Sequence, residues 1–214
     1  MSLIQSIISF ILHIDEHLIE IIQNFGNWSY VILFLIVFTE TGLVIFPFLP
    51  GDSLLFAAGA LAAMDAFNFV LLILVFFVAA VIGDAVNYHI GKSVGTAITR
   101  NNWIGKFIDE KKMRKAEDFF NKHGGKTIVI ARFMPFVRTF IPFIAGSSRM
   151  NYSYFFTFNV FGAVLWVGLF TTVGYLFGNI PFVKNNFSTI ILSVIVLSVL
   201  PAFYSFAKSR KQKY

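Results

Sequence analysis

The chain has 214 residues, of which 57% are hydrophobic and only 13% are charged. An average soluble domain has about 25% charged residues, and a chain of this length cannot hide so much apolar surface from water. The composition therefore excludes an ordinary soluble domain and a disordered chain. The absence of cysteine excludes a disulfide framework and a thiolate metal site. Long continuous apolar runs favour an all-α integral membrane protein over a barrel, whose strands would alternate in polarity.

The formal net charge of +6 is unevenly distributed along the chain. Residues 1–91 contain no lysine or arginine, whereas basic residues cluster at 92–126 and again at 208–213. The positive-inside rule predicts that both clusters, and with them the C-terminus, are cytoplasmic, and that the N-terminal region lies outside. The imbalance thus indicates membrane orientation, and no nucleic-acid partner is predicted. Because the first residues lack a basic segment, no cleavable signal peptide is predicted.

The first half of the chain, residues 1–95, is predicted to contain three elements. Residues 3–22 are apolar with one polar face, which is typical of a helix lying at the membrane interface. Residues 28–63 are apolar but interrupted, and we expect a re-entrant hairpin whose bend holds Pro47, Pro50 and Gly51. Residues 67–92 are long enough to form a transmembrane helix.

The second half, residues 96–180, repeats this order. An amphipathic helix is predicted over 96–125, an interrupted hairpin over 127–148 and a transmembrane helix over 153–178. The bend of this hairpin is assigned to Pro135, Pro142 and Gly146. A C-terminal transmembrane helix over 186–207 and a basic tail over 208–214 complete the chain, which is predicted to be one domain.

The two interrupted segments resemble each other. The segment Pro47-Phe-Leu-Pro-Gly51 matches Pro142-Phe-Ile-Ala-Gly146 at a distance of 95 residues. If both segments are re-entrant, the basic loop between them makes the first enter from outside and the second from inside, which is an inverted repeat. Broken segments at corresponding positions of two halves are typical of transport sites. The alternative is that both segments are kinked helices that span the membrane.

Four charged residues flank the predicted bends, namely Glu40 and Asp52 in the first hairpin and Arg132 and Arg138 in the second. Each charge near the bilayer centre costs about 2.5–3.5 kcal/mol, so these side chains must pair, face water or hold a charged ligand. In a purely structural interpretation, pairs of Glu40 and Asp52 with the arginines hold the hairpins together. In a functional interpretation, the two arginines bind a phosphate group, and the carboxylates compete for the arginines or take up protons.

Other polar residues are weaker candidates. Asp84, Tyr88 and Ser53 are candidates for lining the cavity, although Asp84 also fits the cytoplasmic end of its span. Arg149 is a candidate phosphate contact or, alternatively, a positive-inside anchor. The sequence contains no phosphate-binding loop, zinc-protease motif or serine-hydrolase motif. We therefore expect neither an enzyme nor a cofactor or metal.

Four blocks of residues resemble the DedA family of membrane proteins, also called the VTT or SNARE-associated family, and they cover roughly residues 30–180 in the right order. They are Glu40-x-Gly42 with Pro47-x-x-Pro50-Gly51-Asp52; Gly83-Asp84 with Tyr88-x-x-Gly91-x-x-x-Gly95; Ala131-Arg132-Phe133-x-Pro135-x-x-Arg138 with Pro142-x-x-Ala145-Gly146-x-x-Arg149-Met150; and Phe155, Asn159, Gly162 and Trp166. One departure is Asn87, where the family more often has glycine before the tyrosine.

The resemblance implies a multi-pass protein of the bacterial inner membrane with two opposed re-entrant hairpins. It implies translocation of a polyprenyl phosphate, with undecaprenyl phosphate as the first candidate, and in some members dependence on the proton gradient. The partners would be a lipid phosphate, protons and membrane lipids, and a homodimer is left open. Residues matching Glu40, Asp52, Arg132 and Arg138 are the functional ones in the family. The alternatives are a proton-coupled exporter of small cations or drugs, a phospholipid translocase or scramblase, and a scaffold protein that docks through its basic loop.

Overall fold

A computed structural model describes residues 25–43, 51–94, 124–134 and 137–185 of the chain. Every regular element in these ranges is a helix. In chain order the helices are α1 (Trp28–Gly42), α2 (Gly51–Ala62), α3 (Phe69–Val94), α4 (Lys126–Ala131), α5 (Val137–Ser147), α6 (Tyr152–Gly178) and α7 (Pro181–Asn185). The predicted helices over 3–22 and 186–207, most of the predicted helix over 96–125, the basic tail, and Pro47, Pro50 and Pro135 lie outside the described residues.

Helices α3 and α6 are the two described helices that are long and apolar enough to cross a membrane. They contain 26 and 27 residues, so each is about 39–40 Å long at 1.5 Å per residue. Large apolar side chains such as Val70, Leu74 and Phe161 lie exposed on their outer faces. Such faces are unfavourable in water and suit contact with lipid. The helices match the spans predicted over 67–92 and 153–178 to within two residues at each end.

The helices that flank the interrupted segments are short. Helices α1 and α2 have 15 and 12 residues, and α4 and α5 have 6 and 11, whereas a membrane span needs about 20. In the first segment the break falls after α1, and Gly51 begins α2, where the bend was predicted.

In the second segment, two of the three residues assigned to the bend do not lie at the break. The break lies between α4 and α5, and Pro142 and Gly146 are inside α5. Because proline has no N–H, Pro142 removes the helical hydrogen bond to the carbonyl of Arg138. The adjacent carbonyl of Thr139 accepts a hydrogen bond of 2.8 Å from Nδ2 of Asn87 on α3. A side chain of α3 thus bonds to the backbone of α5 one residue after the carbonyl that the proline leaves without its helical donor.

The chain divides into two compact units that cut across α1, α3 and α6. The first unit comprises residues 1–32, 50–73 and 169–214. In it, α2 crosses the last turns of α6 at very close range. A Cβ atom at Gly59 would overlap the carbonyl of Thr171, and one at Gly174 would overlap the carbonyl of Phe56. Only glycine lets the two backbones approach so closely.

The second unit comprises residues 33–49 and 74–168. In it, α5 crosses the second half of α3 with the same pattern of contacts. A Cβ atom at Gly91 would overlap the carbonyl of Phe143, and one at Gly146 would overlap the carbonyl of Tyr88. Each unit therefore contains one crossing in which a Phe-x-x-Gly segment of a short helix meets a glycine of a long helix. The repeat boundaries predicted at residues 95 and 180 stay a prediction.

Candidate functional site

Two buried ion pairs lie in the second unit. Arg138 pairs with Oε1 of Glu40, and Nη2 of Arg132 lies 2.5 Å from Oδ2 of Asp84. Glu40 is completely buried, and Asp84 and Arg132 are each 4% exposed. Together the four side chains carry two positive and two negative formal charges, so the network is neutral as a whole.

Each of the four residues lies at a defined point of its helix. Glu40 is in the last turn of α1, and Asp84 is near the middle of α3. Arg132 immediately follows α4, and Arg138 is in the first turn of α5. The break between α4 and α5 separates the two arginines, and both of them line one cavity.

Two asparagines hold this network in place. Oδ1 of Asn159 accepts a hydrogen bond from Nη2 of Arg132, while Nδ2 of Asn159 donates to the carbonyl of Val81 at 3.0 Å. The second bond fixes the orientation of the amide, so that its oxygen faces the guanidinium. Nδ2 of Asn87 donates to the carbonyl of Thr139, as described above, and also to the carbonyl of Thr41 at 3.1 Å. Asn87 thereby links α3 to both α1 and α5.

The ring of Trp166 forms one wall of the cavity. The Cζ atoms of Arg138 and Arg132 lie 5.2 and 5.9 Å from the ring centroid, within the range of cation–π attraction. Thr41 and Thr139 complete the lining with Asp84 and the arginines. The cavity has about 10 Å³ of space for the centre of a water molecule, which is enough for about one water. A phosphate group therefore does not fit unless side chains move.

Two glycines make room for the charged side chains. A Cβ atom at Gly162 would lie 3.0 Å from Cδ and 3.1 Å from Nε of Arg132, closer than ordinary van der Waals contact. A Cβ atom at Gly83 would overlap Oγ1 of Thr41. Gly83 therefore lets α1 and α3 approach each other beside Asp84.

The two guanidinium groups give the arrangement the donors to bind an anion. Guanidinium groups donate paired hydrogen bonds that match the oxygens of carboxylate or phosphate. Among the described residues, no group of three or more histidine, cysteine, aspartate or glutamate side chains is placed to hold a metal ion.

The structure changes the predicted pairing of the arginines. Asp52 and Ser53 were grouped with the site, but they lie in the first turn of α2, which belongs to the other unit. The carboxylate that contacts Arg132 is that of Asp84. Asp84 was considered only as a lining residue or as the cytoplasmic end of its span.

The structure places Arg149 and Tyr88 outside the lining of the cavity. Arg149 is exposed just after α5, in a left-handed conformation with φ of 54°, and its N–H donates to the carbonyl of Gly146. It caps the helix and does not line the cavity. Tyr88 also does not line the cavity: it is buried, stacks on Phe155 at 4.6 Å and donates its hydroxyl proton to the carbonyl of Met150.

Sequence reasoning missed Asn159, Trp166, Thr41 and Thr139 as site residues. The signal for Asn159 was present, because a buried amide in the middle of an apolar span requires partners. Trp166 was noted only as part of the fourth block of the family resemblance, and the two threonines gave no signal, since threonine is common in apolar helices.

The fold and the site define a class of protein. It is a helical membrane protein in which buried ion pairs lie beside the breaks between short helices. The model of the VTT domain matches residues 49–176. The chain is 49% identical to Protein DedA of Escherichia coli (strain K12), covering 99% of this chain and 97% of that protein. It is 39% identical to the inner membrane protein YqjA of the same strain, over 86% of each chain.

An uncharacterised membrane protein of Mycobacterium tuberculosis (strain ATCC 25618 / H37Rv) is 43% identical, over 82% of this chain and 78% of the relative. No solved structure matches the chain significantly. The chain belongs to the DedA family of membrane proteins with a VTT domain.

Proposed function

We propose that this protein moves a phosphate-bearing lipid across the bacterial inner membrane, with a polyprenyl phosphate such as undecaprenyl phosphate as the first candidate. The observation that carries the proposal is the pair of arginines, Arg132 and Arg138, on one cavity, each held by a carboxylate. A buried ion pair contributes little stability compared with apolar residues of similar volume. Two such pairs at one cavity are better explained by a charged ligand.

The proposed arrangement in the membrane has two re-entrant hairpins of opposite direction. The shortness of α1, α2, α4 and α5 supports hairpins over complete spans, because none of these helices approaches 20 residues. The matching crossings at Gly59 and Gly146 support two related halves. The basic residues at 92–126 and 208–213 support a multi-pass chain with both segments in the cytoplasm.

In the proposed mechanism the phosphate enters between the hairpins while the lipid tail stays in the bilayer. Arg132 and Arg138 bind the phosphate oxygens. Glu40 and Asp52 take up and release protons as the ligand arrives and leaves. One half rocking against the other then exposes the site to each side in turn. No covalent step and no cofactor is required, so the protein is a carrier of lipid and protons and not an enzyme.

The test uses purified protein in liposomes containing undecaprenyl phosphate, with and without a pH gradient, and measures the lipid in each leaflet. Arg138→Ala and Glu40→Gln should abolish movement. Arg149→Asn is the matched control, because it removes an exposed arginine and asparagine tolerates the left-handed conformation. If correctly inserted Arg138→Ala and Glu40→Gln proteins move the lipid at the wild-type rate, the site is wrongly assigned.

The same liposomes separate the alternatives. Movement of phosphatidylethanolamine or phosphatidylglycerol at the same rate as the polyprenyl phosphate indicates a general phospholipid translocase or scramblase. Proton-driven movement of a lipophilic cation without lipid movement indicates an exporter of cations or drugs.

Orientation is tested separately by labelling, since the chain has no cysteine of its own. Asp65→Cys and Lys126→Cys introduce single thiols at exposed positions after α2 and at the start of α4. A membrane-impermeant reagent added to intact cells should label the first and not the second. Labelling of both, or only of the second, refutes the proposed orientation.

A further inference from the structure

One hydrogen-bond donor of the Arg132 side chain has no acceptor among the described residues. Its Nη2 atom contacts both Asp84 and Asn159. Its Nε atom is buried, and no residue that the structure describes accepts a hydrogen bond from it. Nε and Nη2 form one edge of the guanidinium, and this edge can donate two parallel bonds to a carboxylate or phosphate. Asp84 uses only one of the two donors.

The two acceptors on Nη2 differ in charge. Asp84 is a carboxylate and therefore competes directly with any anion for Arg132. Asn159 is a neutral amide and is anchored by its second bond to the carbonyl of Val81. If Asp84 moved away, Asn159 would still hold the guanidinium in place without repelling an anion.

The size of the cavity also favours replacement of Asp84 over addition of an anion beside it. It has space for about one water beside Asp84 and the arginines, so a phosphate cannot be added to the site as it stands. The network is neutral when both ion pairs are formed, and addition of an anion to a neutral buried network is unfavourable. Exchange of one anion for another avoids both difficulties.

We propose that Asp84 is a resident counter-ion of Arg132, and that the phosphate group of a ligand replaces it, bonding to Nε and Nη2 together. The inference rests on the proposed binding of a phosphate at this site. It assigns to Asp84 the role of keeping the empty site neutral and closed, and it predicts that removal of the Asp84 charge strengthens anion binding.

The experiment measures binding to the full-length protein in lipid nanodiscs by titration calorimetry. The probes are inorganic phosphate, farnesyl phosphate and, as a control for the tail alone, farnesol. Asp84→Asn should bind inorganic phosphate and farnesyl phosphate at least about tenfold tighter than wild type, which corresponds to about 1.4 kcal/mol. Asp65→Asn, the same substitution at an exposed position after α2, should bind as wild type.

Asn159→Asp tests the same idea in the opposite direction. It adds a second carboxylate beside Arg132 with almost no change of shape, and it should weaken phosphate binding by about tenfold or more. Thermal unfolding of each variant, with and without phosphate, reports on folding. Asp84→Ser removes the charge with a different side chain and is measured beside Asp84→Asn.

The outcomes separate this inference from the proposed function. Unchanged or weaker phosphate binding by folded Asp84→Asn or Asp84→Ser refutes the counter-ion role, and so does unchanged binding by Asn159→Asp. If Asp84→Asn binds farnesyl phosphate more tightly but wild type moves no lipid phosphate, the counter-ion role stands and the translocase proposal fails. Equal binding of both phosphates indicates a site for free phosphate, whereas preference for farnesyl phosphate over phosphate and farnesol indicates a lipid headgroup site.

Discussion

The pair of Glu40 and Arg138 allows its structural and functional roles to be separated by a double-mutant cycle. The variants are Glu40→Leu, Arg138→Met and the double variant, which replace the charges with apolar side chains of similar size. Glu40 is fully buried, and the side chain of Arg138 is 13% exposed. Removal of one member leaves the other charge buried without its partner, which typically costs about 3–5 kcal/mol.

The structure indicates where in that range each variant falls. In Arg138→Met the remaining charge is the carboxylate of Glu40, which has no exposure, so we expect about 5 kcal/mol. In Glu40→Leu the remaining charge is the guanidinium of Arg138, which is slightly exposed and lies over Trp166, so we expect about 3 kcal/mol. The double variant leaves neither charge, and its stability should be within about 1 kcal/mol of wild type.

The assay combines reversible unfolding in mixed micelles with lipid movement in liposomes. All three variants should fail to move the lipid phosphate, although the double variant is nearly as stable as wild type. If the double variant recovers both stability and transport, the pair only holds helices together and the proposed role is refuted. If both single variants cost less than about 1 kcal/mol, the pair is not buried in the folded protein and the site geometry is wrong.

Three further predictions follow from close contacts. Gly162→Ala should push against Arg132, destabilise the protein by about 1–3 kcal/mol and slow lipid movement, whereas Gly168→Ala on the same helix, with nothing within 4 Å, should do neither; equal effects would contradict the contact. Tyr88→Phe should cost about 1 kcal/mol in unfolding free energy, because it removes only the hydrogen bond to the chain after α5; a wild-type value would mean that the bond is absent. Gly59→Ala should be more harmful than Gly162→Ala in the same measurement, because its neighbour is rigid backbone.

The spans and the pairing of buried charges could be predicted from the sequence. Apolar runs of sufficient length predict α3 and α6 because the membrane thickness fixes the length of a spanning helix. Glu40, Arg132 and Arg138 stand out because charges inside apolar segments need partners. The partner of Arg132 could not be predicted in this way. Asp84 lies towards the end of its apolar run, but α3 continues for ten residues beyond it and places it inside the helix.

The assignment of Pro142 and Gly146 to the second bend was wrong for a related reason. The segment Pro142-Phe-Ile-Ala-Gly146 resembles the first bend, but it has alanine where the first has Pro50. A single proline can be accommodated in a membrane helix; here Asn87 bonds to the carbonyl of Thr139, beside the carbonyl of Arg138 that Pro142 leaves without its helical donor. The glycine at the end of the segment serves close packing on α3 and does not mark a turn. The matching crossing of the first unit uses Phe56 and Gly59, which lie outside the segment that resembles 142–146.

These crossings have a consequence for the folding of the protein. In one compact unit a short helix of the first half, α2, packs on α6 of the second half; in the other, α5 of the second half packs on α3 of the first. In each crossing one helix comes from residues 1–95 and the other from residues 96–180, and a glycine lets their backbones touch. Neither predicted half therefore contains both helices of either crossing. Each compact unit therefore combines segments of both predicted halves. The ion pairs also join the two predicted halves, because Glu40 and Asp84 come from the first half and their arginines from the second. A site of this kind forms only when the two halves have assembled, and any relative movement of the halves acts directly on the two ion pairs.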